Sequence, residues 1–369
     1  MTSAPGSNVL RDPITWIIWF ACIAIASAGG FVALQIGAPL PWLLGAMVFS
    51  AIAMVSGVKI AGRPFSFPQL PRMVCVTAIG VAIGGSASAE MWSELGEWWI
   101  SLLMVGVFVG ITHCVNYQIF RRLAGYDRPT AFYCATPGGL IESIQLGEEA
   151  GGNAALLTVQ HFSRITLTVA LVPFLYLAMR GEAVGSAAGV SMDHGAAIGP
   201  LDVVILVGCA VIGAWGGRRV KFPAAIITGP ILLSALAHGT GATEAQPPDW
   251  LIAVAQVIIG LGLAMRFQGM TRKLLIRGVG LGFLTVTVML GIGAGLAGTL
   301  AAAGDHSFQI LLMCYAPGGV VEMGLIALSL GVSPMMVTMH HIVRIGFTVI
   351  AVPLIGRRFL SSPEPPPLP

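Results

Sequence analysis

Apolar runs of about 20 residues, separated by short polar loops, recur along the whole of this 369-residue chain. Twenty residues of helix match the hydrocarbon core of a bilayer, and no other feature restricts the fold so tightly. In lipid each main-chain N–H and C=O has to be satisfied internally, which favours helices of this length. The expected fold is therefore an all-α polytopic membrane protein. Charge usage agrees: 9% of residues are charged and 56% hydrophobic, with a mean hydropathy of +0.87. A soluble domain carries about a quarter charged residues. The net charge of +3 is spread over short loops and leaves no footprint for nucleic acid. Cysteines 22, 75, 114, 134, 209 and 314 lie mostly inside apolar runs without CxxC pairing, so neither a disulfide framework nor a metal is expected. No other cofactor is expected either. The first run has the length of a span and a counterpart later in the chain. It reads as a retained helix rather than a signal peptide ending at residues 26–30.

The chain is written twice. From Cys134 the pattern C-x2-P-G-G-x2-E-x18-H-x2-R-I-x2-T-V-x2-V-P runs to Pro173, and from Cys314 it runs to Pro353. Every fixed position is offset by 180 residues, and a weaker echo relates Pro39, Gly45 and Ser50 to Pro223, Gly229 and Ser234 at an offset of 184. The organisation read from this is an N-terminal tail 1–13, a membrane repeat 14–178, a linker 179–199, a second repeat 200–358 and a Pro-rich tail 359–369. Six apolar elements are expected per repeat: 15–34, 40–57, 72–88, 98–120, 130–149 and 153–178, then 200–216, 223–238, 249–265, 276–302, 308–330 and 334–356.

Loop charges orient the repeats, because Lys and Arg favour the cytoplasmic side. In the first repeat the loop after element two is basic (Lys59, Arg63, Arg72), the next acidic (Glu90, Glu94, Glu97) and the third basic (Arg121, Arg122, Arg128). In the second, the loop after element one is basic (Arg218, Arg219, Lys221), the next acidic (Glu244, Asp249) and the third basic (Arg266, Arg272, Lys273, Arg277), before a lone Asp305. Equivalent loops have exchanged sign, so two inverted-topology repeats are expected. Inversion requires an odd number of crossings per repeat. Element five, which contains Pro-Gly-Gly, is the natural exception: a re-entrant hairpin, with an unwound crossing helix as the alternative. Five transmembrane helices plus one broken element per repeat place both termini in the cytoplasm, in a bacterial inner membrane.

Few polar groups remain inside. Glu142 and Glu322 are the embedded acids and Arg164 and Arg344 the embedded bases. A charge at the centre of a spanning helix costs roughly 2.5–3.5 kcal/mol, so these four require pairing, water or a function. Glu142–Arg164 and Glu322–Arg344 ion pairs bracing the hairpins form one reading. The other is a binding site, because broken elements at matching positions of inverted repeats mark the midplane site of transporters. Pro137, Gly138 and Gly139, like Pro317, Gly318 and Gly319, would free helix-end N–H groups for an anion, and the arginines could add bidentate recognition of a carboxylate. His161 with Arg164 and Thr168, and His341 with Arg344 and Thr348, each share one helical face. Histidine beside glutamate admits proton exchange, although a lone helical histidine is more often simply satisfied. Thr136, Ser143, Gln160, Ser163 and His340 break the symmetry between the repeats. Trp16, Trp19, Trp42, Trp92, Trp98, Trp99 and Trp250 fall near span ends, as in an interfacial belt. The Gly-rich stretches at 278–283 and 291–295 are expected to serve close helix packing.

At these residues the chain resembles the duplicated AbrB membrane family, whose members carry PGG…E and H-x2-R motifs in both halves. That family shares its label with a small soluble DNA-binding regulator and is often named as an ammonia monooxygenase. The sequence carries neither a DNA-binding module nor a clustered His/Glu metal site. The resemblance implies kinship with inverted-repeat secondary transporters of the bile-acid symporter and sodium/proton antiporter type. It further implies a core of broken elements moving against a scaffold, commonly in a homodimer. The expected function is thus secondary transport of a small, organic anionic substrate by alternating access, with proton coupling preferred and no catalysis. A membrane-embedded sensor that binds without transporting is the alternative, and an oxygenase the remoter one.

Overall fold

The computed structural model describes residues 12–87, 95–180, 198–304 and 306–361. The tail before residue 12, Glu90, Trp92, Glu94, nearly all of the 179–199 linker, Asp305 and the end of the Pro-rich tail lie outside them. Among the described residues the chain is all α-helical and has no strands. The fourteen α-helices among the described residues are α1 (Pro13–Gln35), α2 (Pro41–Val55), α3 (Gln69–Gly85), α4 (Trp99–Gln118), α5 (Arg128–Cys134), α6 (Leu140–Glu149), α7 (Ala154–Arg180), α8 (Pro200–Val220), α9 (Ala225–Gly239), α10 (Asp249–Ala264), α11 (Arg272–Ala303), α12 (Phe308–Tyr315), α13 (Val320–Ser329) and α14 (Pro334–Ser361). Among the described residues, seven helical segments are long and apolar enough to cross a membrane. The chain is an all-α, multi-pass membrane protein. Element five of each repeat is interrupted at Pro-Gly-Gly, and α2, α3 and α9 are shorter apolar helices of 15, 17 and 15 residues.

The boundaries follow local chemistry. Asp12 caps α1, accepting from the Ile14 N–H at 3.1 Å, and Pro13 occupies the first turn, where its missing N–H costs nothing. Arg63 donates to the same carboxylate, and this partner holds Asp12 below the usual carboxylate range. Asp127 caps α5 through the Thr130 N–H at 2.9 Å.

By contact density the chain divides into two compact units. They cut across the two sequence repeats, since each unit draws on both, and α7 and α13 are divided between the units. The first comprises Met1–Met91, Val169–Arg272 and Gly324–Met335, hence α1–α3, α8–α10, the second half of α7 and most of α13. Gly29 crosses Gly45 so closely that an added methyl on either would strike the other's carbonyl oxygen; likewise a methyl on Gly229 would strike the Gly213 carbonyl oxygen, and one on Gly213 the main chain of Gly229 and Pro230. These pairs are related by the offset of 184. The Gly260 face meets the Leu43 carbonyl just as Gly80 meets that of Ile227. The repeat is therefore present in three dimensions as matched contacts. Phe67–Arg72 at the start of α3 share a cavity with Ile258–Arg266 at the end of α10, while Gln246, ahead of α10, donates to the Gly85 carbonyl that ends α3 (2.5 Å). The equivalent helices α3 and α10 run antiparallel.

The second unit comprises Trp92–Thr168, Lys273–Met323 and Met336–Pro369 and holds both Pro-Gly-Gly breaks. At one end Arg121 donates to the Tyr126 carbonyl at 2.8 Å, Arg277 to that of Ala124 and Arg128 to that of Phe359. The loop after α4, the start of α11 and the end of α14 thus gather together. Only some glycines of α11 serve close packing as expected: Gly278 faces Val159, Gly282 faces Ser163 and Gly293 faces Tyr315, whereas Gly280, Gly291 and Gly295 meet nothing within 4 Å. Trp98 departs from the interfacial belt. It is fully buried at the N-terminus of α4, whereas Trp16, Trp99 and Trp250 are exposed.

Candidate functional site

Element five of the first repeat folds back on itself. Its two pieces span 7 and 10 residues, roughly 10 and 15 Å at 1.5 Å per residue, too short to cross a core of about 30 Å. The Asn153 N–H, just past α6, donates to Thr130 Oγ1 in the first turn of α5 at 2.8 Å. Entry and exit therefore lie side by side, as in the expected hairpin. In the second repeat α12 and α13 are equally short, at 8 and 10 residues.

A helix broken in apolar surroundings leaves carbonyls at the end of one piece and N–H groups at the start of the next. The carbonyl ends are answered by the embedded arginines. Arg164, 6% exposed, donates to the Thr136 carbonyl; Arg344, 2% exposed, donates to those of Ala316 and Gly318. Guanidinium groups here meet the negative ends of α5 and α12. The expected ion pairs do not form: among the described residues neither arginine lies within ion-pair distance of Glu142 or Glu322. The reason is local supply, since each break offers main-chain acceptors within reach of its own arginine. Each arginine's Nε is buried and makes no hydrogen bond among the described residues.

The glutamates differ. Glu322 is 5% exposed and curls back so far that a methyl added at Gly319 would strike its carboxylate. Glu142 is exposed, so the expectation of two embedded acids holds within the protein for Glu322 alone. The cause is the helix. Ile141, Glu142, Gln145, Glu148 and Glu149 form an open face of α6, whereas nearly every residue of α13 is buried.

The histidines are fully buried and bond to carbonyls, not to glutamate. His161 Nε2 lies 3.0 Å from the Tyr133 carbonyl, while its Nδ1 has no partner among the described residues. His341 meets the Val337 carbonyl through Nδ1 (2.8 Å) and the Ala316 carbonyl through Nε2 (3.2 Å). Thr168 and Thr348 each turn a hydroxyl to the carbonyl of the arginine one turn earlier, at 2.8 and 2.9 Å. The breaks also cross-pack. A methyl on Gly138 would lie 2.9 Å from Thr348 Oγ1, and one on Gly318 would lie 3.3 Å from Thr168 Cγ2. Each Pro-Gly-Gly therefore rests on the Arg/Thr helix of the other repeat, which brings the two motifs to one centre.

The asymmetric residues fall where expected and bond differently. Thr136 Oγ1 donates to Ser143 Oγ (2.7 Å) or the Tyr133 carbonyl (2.8 Å) within the first break. Gln160 donates to the Tyr126 hydroxyl (3.0 Å), and His340 meets Ser101 Oγ (2.9 Å). Ser163 Oγ is buried without a partner among the described residues. Sequence reasoning missed Ser101 and Tyr315. The Tyr315 hydroxyl donates to the Ser101 carbonyl at 2.8 Å, tying the second break to the start of α4. A tyrosine that ends α12 where the first repeat has Ala135 was the available signal.

Residues 51–360 match the family model described as transition state regulatory protein AbrB. The chain is 23% identical over 366 residues to "Uncharacterized protein YhjN" of Bacillus subtilis (strain 168), covering 94% of this chain and 92% of that protein. It is 22% identical over 344 residues to "Putative regulator AbrB" of Escherichia coli (strain K12), covering 91% and 94%.

Proposed function

Taking as premise that the chain belongs to this AbrB family, we propose that it is a secondary active transporter of a small organic anion, built from two inverted repeats in a bacterial inner membrane. The carrying observation is the pair of breaks, each with its carbonyl end held by a buried arginine and each resting on the other repeat's helix. Fixed guanidiniums behind the carbonyl ends leave the N-terminal end of α6 as a positive pole, whereas Glu322 folds back over that of α13. α6 has no side-chain cap. Among the described residues two buried guanidiniums stand against one buried carboxylate, which favours an anion over a cation.

The antiparallel course of α3 and α10 supports inversion, and the basic loops gathered at one end of the second unit support a common cytoplasmic side for them and for the end of α14. Proton coupling belongs to the same proposal. A neutral imidazole has one N–H for the two carbonyls that flank His341, whereas an imidazolium satisfies both. The role is transport, not catalysis, and a homodimer is the proposed assembly.

The name of the Escherichia coli relative favours a second reading, a sensor that binds without moving its ligand. Proteoliposome flux separates the two. A panel of small carboxylates, amino acids and inorganic anions under imposed proton and sodium gradients should reveal saturable uptake, reduced at least tenfold by Arg344→Ala. Ligand-induced stabilisation without flux of any panel member would overturn transport in favour of the sensor.

A further inference from the structure

We infer that His238 is a proton-operated strap on the loop that joins α9 to α10: its imidazolium form fastens the loop, and loss of the proton releases it. The device lies wholly in the first unit and is independent of the paired breaks. His238 stands in the last turn of α9 and sets both ring nitrogens against main-chain carbonyls. Nδ1 lies 2.9 Å from the Ser234 carbonyl in its own helix, and Nε2 lies 3.0 Å from the Ala245 carbonyl across the loop. A carbonyl only accepts and a neutral imidazole has one N–H, so both contacts are hydrogen bonds only in the imidazolium. The surroundings favour that charge. α9 ends here, and the negative end of a helix stabilises a cation. On the elements that touch the loop, the charged groups at this end are acidic: Asp202 in the first turn of α8, Glu244 in the loop and Asp249 in the first turn of α10. α3 contributes none between Val76 and Ala87, and α9 itself has none.

Ser234 decides where the neutral ring keeps its proton. The Ser234 hydroxyl donates to the Val81 carbonyl of α3 at 2.7 Å and also lies 3.3 Å from His238 Nδ1. A proton on Nε2 alone would leave Nδ1 an acceptor that faces the Ser234 carbonyl and competes with Val81 for that hydroxyl. The proton therefore rests on Nδ1, where the Ser234 carbonyl is supplied by the same helix. Nε2 then turns a lone pair on the Ala245 carbonyl, and the loop is repelled where it had been held. The other ties of the loop are to Asp202, which accepts from Thr243 Oγ1 at 2.7 Å, and to the Gly85 carbonyl, which accepts from Gln246 at 2.5 Å. The strap belongs to the second repeat alone. At the offset of 184, Ser234 corresponds to Ser50 but His238 to Met54, so the loop after α2 is an internal reference.

Hydrogen-exchange mass spectrometry on the full-length protein in neutral detergent tests the strap, with protection corrected for the intrinsic pH dependence of exchange. The amides of Thr240, Gly241, Ala242 and Ala245 are hydrogen-bonded and report closure of the loop. Their protection should be at least fivefold higher at about pH 5.5 than at about pH 8, the interval in which histidine ordinarily changes charge. The loop after α2, followed at Ser56, Ile60 and Arg63, should change less than twofold. Carboxylates ordinarily titrate near pH 4, so the Asp202 tie is constant over this interval. His238→Gln keeps an N–H donor without a titrating group and should reduce the pH effect to less than twofold. Exchange at the imidazole C2–H of His238 needs no substitution and serves if that variant does not fold: its midpoint should fall within about one pH unit of the midpoint of loop protection. Equal protection at both pH values in the unsubstituted protein would overturn the strap. So would an equal response in the loop after α2, an undiminished response in His238→Gln, or midpoints further apart than that.

Discussion

The two Pro-Gly-Gly breaks share a motif and an anchoring arginine, yet they are held differently. The first is a turn fixed from inside: Gly139 adopts φ +56°, and Thr136 and Ser143 close a hydroxyl pair across it. Its α6 shows an open polar face. The second contains no left-handed glycine among residues 316–319 and is fixed from outside. Arg344 holds two of its carbonyls, His341 approaches one of them, and Glu322 is folded over its own helix start. Duplication supplied the device twice, and later substitution gave one copy a self-supporting turn and the other an arginine clamp. An asymmetric ligand requires such a difference, which a strictly symmetric site could not offer.

Removing the clamps should separate the breaks most. Arg344→Ala withdraws a donor from two buried carbonyls, that of Gly318, which is left with none, and that of Ala316, which keeps only His341, at about 1–6 kcal/mol, and Arg164→Ala withdraws one from Thr136, at about 1–3 kcal/mol. Unfolding in mixed micelles measures both; an equal or reversed order would break the comparison.

The next effect concerns the glycines. Gly139→Ala should cost about 1–2 kcal/mol through its left-handed backbone, and Glu142→Ala should not relieve it. Gly319→Ala collides with a side chain instead, so Glu322→Ala should restore much of its stability, with a coupling of about 0.5–3 kcal/mol in a double-mutant cycle. Equal rescue in both repeats would erase the distinction.

Thr136→Val should cost about 1 kcal/mol by opening the hydroxyl pair, whereas no counterpart exists at Ala316. Ser143→Ala in the Thr136→Val background should add little if the two hydroxyls act as one unit.

The smallest expected effect lies outside the breaks and serves as their control. Arg63 lowers the Asp12 carboxyl from its ordinary value of 3.8, so its contribution to stability is present above that pH and fades as pH falls through the lowered value. Asp12→Asn should flatten the acid limb of the stability curve below pH 4. It should leave the differences between the breaks at neutral pH unchanged.

Much of the fold was legible because lipid enforces it. Ten of the twelve expected elements appear as single helices, and the two others break at Pro-Gly-Gly as read. The offset of 180 located Arg164 and Arg344 correctly as buried, and His161 and His341 with them. What the sequence hid was the identity of their partners. Main-chain carbonyls leave no mark in side-chain patterns, so a conspicuous Glu invited an ion pair that the geometry replaces with backbone acceptors. The exposure of Glu142 was hidden for a related reason: it depends on what covers α6, and the motif is the same in both repeats. The division into two compact units was also unreadable, because packing pairs α2 with α10 and α3 with α9 across repeats, whereas the sequence repeats in blocks.

Inversion of the repeats is the claim on which the rest depends, and cysteine accessibility tests it most directly. Single cysteines at Lys59, Arg218 and Arg272 should label from the cytoplasmic face of oriented vesicles, and cysteines at Glu97 and Glu244 from the opposite face. Labelling of Lys59→Cys and Arg218→Cys from opposite faces would contradict inversion, and with it a shared site between the two breaks.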